Sequence, residues 1–396
     1  MLLRDDPQIT AFDKHRWVIS TNVGHNLLVN NAAAQLFVML RDVASLEQAR
    51  EQFNHNFQSA LTTQAFSALV LRHFGGYGIL AQDQSDKKTV TTDEYIKLKV
   101  ELFSSDAAAF FASPLRIFYA PRFFWLCFVS IFLFLLSVHL SISAKASPQG
   151  PDYWVTALLI YLSIFVHEFG HIAACSRFRI KHGGIGFGFY LYMFPVLYAD
   201  VTNVWQANQQ QRIITNLGGI FSQLLYASVL ASTYLVIGYY PLLFAAMATA
   251  VVALWQFNPF VRHDGYWLLS DITNTPNLLS KASHVTKNAL SRHGFERVVR
   301  SRGKVLLNKK ILLLLYGVAN ASLLLGFAGY TILRYGDQLV QFPFLVFSIF
   351  GKLLVGNLLL ADVRQINMVV FAFYVMVFRY LFTAIVQKYK STQRAI

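Results

Sequence analysis

Ser163-Ile164-Phe165-Val166-His167-Glu168-Phe169-Gly170-His171-Ile172-Ala173-Ala174-Cys175 sets two histidines and a glutamate into a mostly apolar run. With the residues before it, the run spans roughly Trp154–Cys175, enough for a membrane-crossing helix, which needs about 20 predominantly apolar residues. Helical positions four apart share a face, so both imidazoles can reach one metal ion with Glu168 beside them. Neutral imidazole is a common zinc ligand, and a third protein ligand leaves one position for water. A buried His–Glu hydrogen-bonded pair without metal is the competing reading. Ionisable groups inside a bilayer are costly and seldom kept without a role, which favours the metal.

Outward from this helix, composition agrees. The 396 residues are 55% hydrophobic and only 14% charged, against about 25% charged in soluble domains. A polytopic membrane protein follows. Further spans are expected at about Phe123–Ile142, Ile213–Ile237, Pro241–Pro259, Ile311–Leu333, Phe342–Leu360 and Met368–Val386. Lys352 inside the sixth of these seven runs leaves the topology after Ile311 open. From Lys281 to Lys310 there are nine Lys or Arg residues against one acid, Glu296. Beside membrane spans such a run marks a cytoplasmic loop drawn to anionic lipid rather than a nucleic-acid surface. That placement puts the N-terminus in the cytoplasm. Residues 1–20 carry Arg4, Asp5, Asp6, Lys14 and Arg16 with no apolar block, so no cleavable signal peptide is expected. Cys127 and Cys175 both sit in apolar runs and predict buried thiols, not a disulfide.

Residues 1–85 read as a soluble winged-helix-like α+β domain. Trp17–Ser20 and Leu27–Val29 are strand candidates around the turn residues Asn22 and Gly24. Asn30-Asn31 can cap a helix starting near Ala32, and Ser45-x-x-Gln48 is a capping-box pattern for a second. A third is expected over Gln58–His73, ended by Gly75-Gly76, with Tyr77–Leu80 as a closing strand. Residues 86–121 form a linker and an interfacial segment; the polar stretch that makes the linker runs over residues 83–95, from the end of the soluble domain, and Ile96–Leu102 is a possible strand. Residues 122–396 form the membrane domain. Between the second and third spans, Gly184-Ile185-Gly186-Phe187-Gly188-Phe189 alternates with period two. That pattern predicts a small β insertion, with a glycine-rich loop as the bland alternative.

A third ligand is sought at the end of the fourth span, where Asn258-Pro259-Phe260-Val261-Arg262-His263-Asp264-Gly265 stands. Together with His167-Glu168-x-x-His171, this stretch resembles the site-2 protease family of intramembrane zinc metalloproteases. Asn258, Pro259, Asp264 and Gly265 match that family's second motif in order and spacing. Val261 replaces its second proline, and His263 replaces the apolar residue before the aspartate. The resemblance implies Zn2+ held by His167, His171 and Asp264, with Glu168 as the catalytic base. It also implies that Asn258 orients substrate and that Gly184, Gly186 and Gly188 lie on a substrate-binding β element. His263 as ligand, and Asp264 as a plain helix cap, are the alternatives. Gly218-Gly219 with Gln223 loosely resembles another conserved family region, although close helix packing explains the glycines equally well.

Asp264-Gly265-Tyr266-Trp267, Leu269-Ser270-Asp271 and Pro276-Asn277-Leu278 look like a bacterial branch of peptide zinc metalloproteases linked to ribosomally made peptides. Residues 10–82 are similar in pattern to the PqqD-like leader-peptide recognition domain. The expectation is therefore a protease of the bacterial plasma membrane, acting on a precursor peptide or membrane-spanning substrate, with a leader peptide bound by residues 10–82. A non-proteolytic partner for peptide export or immunity, using the metal structurally, is the alternative. A DNA-binding regulator fits poorly, because the Ser45–Phe53 helix is mixed in charge and Gln58–His73 carries only Arg72; no nucleic-acid partner is expected.

Overall fold

A computed structural model describes residues 3, 7–21, 26–75, 77–81, 96–142, 152–190, 194–290, 304–357, 359, 362 and 364–395. The linker expected at residues 83–95 and residues 291–303 of the basic run lie outside them. The described residues fall into two compact units, Met1–Pro276 and Asn277–Ile396.

The first unit opens with an antiparallel meander, β1 (Gln8–Ala11), β2 (Arg16–Ser20) and β3 (Asn26–Asn30), in that spatial order. Three helices follow: α1 (Asn31–Asp42), α2 (Leu46–Asn56) and α3 (Thr63–Phe74). Their starts are fixed by side-chain caps. Asn30 Oδ1 accepts from the amide of Ala33 at 2.9 Å and Ser45 Oγ from that of Gln48 at 3.2 Å, each satisfying an orphan N–H of the first turn. α3 begins five residues later than its periodicity suggested. Gln58 adopts a left-handed φ of 48°, and Asn54 ties the connecting loop, donating to Leu61 O and accepting from Leu61 N, both at 3.0 Å. The expected closing strand reduces to a single bridge between Leu3 and Leu80, and β1 was not anticipated. Ile19, Phe37, Phe66, Phe74 and Ile79 are fully buried at the centre of this domain.

The remainder of the first unit is helical with one small sheet. β4 (Ile96–Phe103) leads through α4 (Ser105–Ala112) and a 3-10 stretch, Ser113–Tyr119, into α5 (Pro121–Ile142) and α6 (Tyr153–Phe178). β5 (Ile185–Tyr190) and β6 (Phe194–Ala199) follow α6, and a 3-10 turn, Thr202–Gln206, leads to α7 (Gln209–Asn216), α8 (Gly218–Ile237), α9 (Tyr240–Trp255) and α10 (Asp264–Ile272). The third expected span is thus two helices. A capping box between Asn208 and Gln211 starts α7, and the chain breaks at Leu217 before α8. The fourth span ends at Trp255, short of Pro259, because the Asn258-Pro259 turn interrupts it.

The second unit holds α11 (Leu278–Ala289), α12 (Lys304–Leu354) and α13 (Met368–Ala395). The fifth and sixth expected spans both lie in α12, which is two helices joined at a kink. Its backbone leaves helical geometry at Tyr335 (φ −127°, ψ 25°). Around the kink the Arg334 guanidinium lies 5.6 Å from the Tyr335 ring and Gln338 accepts from Asn367 at 2.6 Å. Lys352, awkward within an apolar run, pairs with Asp362 at 2.6 Å.

Among the described residues four helical segments are long and apolar enough to cross a membrane: Pro121–Ser141, Tyr153–Phe178, Gly218–Ile237 and Lys309–Leu354. This is the pattern of a mainly helical membrane protein.

Candidate metal centre

α6 carries His167, Glu168 and His171 into the middle of the first unit, where each is more than nine-tenths buried. α8 crosses α6 at a point stripped of side chains. A Cβ on Gly170 would overlap the carbonyl oxygen of Gly218, and a Cβ on Gly219 would overlap the His167 ring. The glycine pair of α8 is therefore a condition for His167 to occupy its place. The 3-10 stretch before α5 supports the crossing from below, where the Tyr119 hydroxyl donates to Gly218 O at 2.9 Å.

Asp264 arrives from a different direction. α9 stops, the Asn258 carboxamide oxygen accepts from the amide of Phe260 at 3.0 Å, and Gly265 N donates back to Gln256 O at 2.8 Å. A Cβ at Gly265 would overlap the Phe257 carbonyl. The turn thus folds tightly enough to place Asp264, the first residue of α10, against α6.

The resulting triangle is small. His167 Nε2 and His171 Nε2 are 3.1 Å apart, and Asp264 Oδ2 lies 3.1 Å from the first and 3.4 Å from the second. Tetrahedral zinc with bonds of about 2.0–2.2 Å separates its ligand atoms by about 3.3 Å. Asp264 Oδ2 is buried and, among the described residues, accepts no well-aligned hydrogen bond. Two imidazole nitrogens facing one another across a buried carboxylate oxygen fit a shared cation. His167, His171 and Asp264 are the group among the described residues that could hold a metal ion.

The opposite ring nitrogens fix the tautomers. His171 Nδ1 lies 2.8 Å from Thr215 O, at the end of α7; a carbonyl only accepts, so Nδ1 carries the proton and Nε2 keeps its lone pair for metal. His167 Nδ1 is 3.1 Å from Gln223 Oε1, while Gln223 Nε2 donates to Ser163 Oγ at 3.3 Å. That arrangement gives His167 the same tautomer. Gln256 makes a longer contact, 3.4 Å, to the same nitrogen.

Glu168 faces the sheet. The backbone amide of Ala199, the last residue of β6, lies toward its carboxylate. The sheet order is β4-β5-β6, so β5 has its backbone groups engaged on both sides. Gly184, Gly186 and Gly188 meet this protein's own atoms: Gly184 the Phe103 carbonyl, Gly186 the Tyr198 ring and Gly188 the Ile96 side chain. A strand joining this sheet would meet β6 or β4. The alternation in sequence located the sheet, but not its edge.

His263, the alternative ligand, is exposed and outside the cluster. His182 is a loop histidine bonded to Gly183 O at 2.8 Å. Thr215, Gln223 and Gln256 were not assigned to the site from sequence. A glutamine three positions after the Gly218-Gly219-Ile220 step, inside an apolar helix, was the available signal for Gln223.

A buried HExxH helix with a carboxylate supplied by a later turn defines a centre of the metal-binding class. No family model matches the chain, and no solved structure matches it. Over 200 residues it is 24% identical to the curated "Putative peptide zinc metalloprotease protein YydH" of Bacillus subtilis (strain 168), a match covering 49% of this chain and 79% of that protein. The likeness supports a zinc-metalloprotease-like function at a coarse level.

Proposed function

We propose that the chain is an intramembrane zinc metalloprotease that hydrolyses a peptide bond in or near the bilayer. The observation that carries this reading is the buried triangle of His167, His171 and Asp264, on a helix long enough to cross a membrane, with Glu168 beside it. When bound, zinc polarises a carbonyl and acidifies water near neutral pH. Glu168 accepts the proton of the attacking water and returns it to the leaving amine. Asn258 shapes the turn that delivers Asp264 and is assigned to substrate positioning there. An extended substrate adding to the free edge of β6 lies alongside Glu168. Strand addition leaves a peptide bond open to attack, whereas a helix shields it.

The substrate assigned to this site is a precursor peptide or a single membrane span. Residues 10–82 are assigned to leader-peptide binding. A cavity of about 590 Å³ lined by Ile9, Trp17, Val38 and Phe57 together with Asn31 and Gln35 supports that assignment, being open, of mixed polarity and set between the meander and the helices. Lipid surrounds the apolar helices in a bacterial plasma membrane, with the N-terminal domain on the cytoplasmic side.

Purified wild-type protein binds one zinc per chain on this reading. Glu168→Gln retains the metal and loses cleavage of a co-expressed neighbouring peptide, by about 100-fold or more. Asp264→Ala loses both. Undiminished processing by Glu168→Gln removes the assigned base, and retention of the metal without any processing by wild type favours a non-proteolytic partner.

A further inference from the structure

Arg212 is fully buried, yet it lies outside the metal centre. Its Nε donates to Asp271 Oδ1 at 2.6 Å and one terminal nitrogen to Ala207 O at 2.8 Å. Asp271's other oxygen accepts from Asn216 Nδ2 at 2.7 Å. These bonds clamp α7 to α10, the two helices that complete the metal site. The last turn of α7 carries Thr215, whose carbonyl orients His171. α10 begins with Asp264, seven residues and two turns before Asp271. A shift of either helix moves a metal ligand or the group that orients one.

The remaining face of Arg212 is covered by the N-terminal domain. The Phe12 ring, buried after β1, lies 4.0 Å from the guanidinium carbon and stacks on Trp205 with ring centroids 6.0 Å apart. Beside it Asp13 accepts from Asn274 Nδ2 at 2.8 Å, and Arg16 donates to Asn274 O at 2.9 Å. Asn274 Oδ1 in turn is 3.4 Å from Arg212. A guanidinium lying over a desolvated ring is held by cation–π attraction as well as by exclusion of water.

We infer that Arg212 is a positioning residue for the metal centre and that the N-terminal domain, through Phe12, holds it in register. Whatever displaces that domain, a bound peptide included, thereby changes the ligand geometry of the centre. Coupling of this kind is reciprocal: occupancy of the metal site also tightens the domain's hold on the core. The inference rests on the metal-centre reading and adds an input to it.

The test uses the full chain in detergent or nanodiscs, with zinc affinity measured by chelator competition and ligand geometry by the visible bands of the cobalt-substituted protein. Phe12→Leu keeps apolar bulk but removes the ring face. Arg212→Lys keeps charge but cannot reach Asp271, Ala207 and Asn274 together. Each should weaken zinc by roughly tenfold, the scale of groups that orient metal ligands, and shift the cobalt bands, while Phe12→Tyr retains both. In wild type, zinc should slow hydrogen exchange over residues 8–20, and in Arg212→Lys it should not. Wild-type affinity and spectrum in folded Phe12→Leu overturn the inference. If Phe12→Leu does not fold, Asp13→Asn is read in the same assay, and an unshifted affinity and spectrum there overturn it as well. A wild-type protein that binds neither zinc nor cobalt sinks the metal-centre reading itself, which is a different result.

Discussion

Ile19, Phe37, Phe66 and Phe74 fill the N-terminal domain; the helical core beside it is filled by residues such as Ile172, Phe221 and Leu224 but also buries His167, Glu168, His171, Arg212 and Gln223. The first interior is the ordinary product of burying apolar surface from water. The second buries groups that would each be costly alone, and it is stable because each finds a partner: imidazole with carbonyl or carboxamide, guanidinium with carboxylate. In a lipid-surrounded protein, apolar side chains gain little by moving inward, so the polar network supplies the specificity of packing. The contrast teaches that the two regions should fail differently when cut.

The largest effect is expected at Phe37, which meets Phe74 edge-on at 6.1 Å. Phe37→Ala should destabilise the N-terminal domain by about 3–5 kcal/mol, read as early loss of its protection in hydrogen exchange. Zinc retained in full while that domain is unfolded would also contradict the role given to Phe12. Gln223→Leu should leave helix content intact and weaken zinc by roughly 10–100-fold, because Nδ1 of His167 loses its acceptor. An unchanged zinc affinity would show that His167 does not depend on that acceptor. Asn30→Ala, removing the cap of α1, should cost about 1 kcal/mol in the thermal unfolding of the N-terminal domain and leave metal binding untouched. The smallest effect is expected on acidification. Partial burial opposes the charge on Asp13, but hydrogen bonds from Arg16 and the His15 amide outweigh it and hold its pKa at about 2. Its depressed value means that the contact to Asn274 is complete above about pH 4 and is lost as pH falls through 2. Proteolytic accessibility of the domain measured across that window checks it.

The cluster of His167, His171 and Asp264 was legible in sequence because its pattern is local. Two histidines four apart need only a helix, and Asp264 stands in a motif with fixed spacing. Helix starts governed by one side chain were also legible, as at Asn30 and Ser45. Pairing between distant segments was not. Nothing in Gly184–Phe189 says that β4 and β6 flank it on both sides, and nothing in Arg212 says that its partners are Asp271 and Phe12. The division of α12 was legible as two apolar runs, and the helix kinks at Tyr335 between them.

The brevity of α9 has its own consequence. Sixteen residues make a helix about 24 Å long, less than the roughly 30 Å of hydrocarbon in a typical bilayer. A span that falls short is accommodated by thinning the surrounding lipid or by sinking its end below the headgroups. If α9 crosses the bilayer, as the proposed function holds, the non-helical backbone from Asn258 to His263 would sit at a depth where only protein or trapped water can satisfy it. The hydrophobic mismatch would then draw the aqueous boundary toward the very turn that carries Asp264. On that reading bilayer thickness sets how readily water reaches the centre.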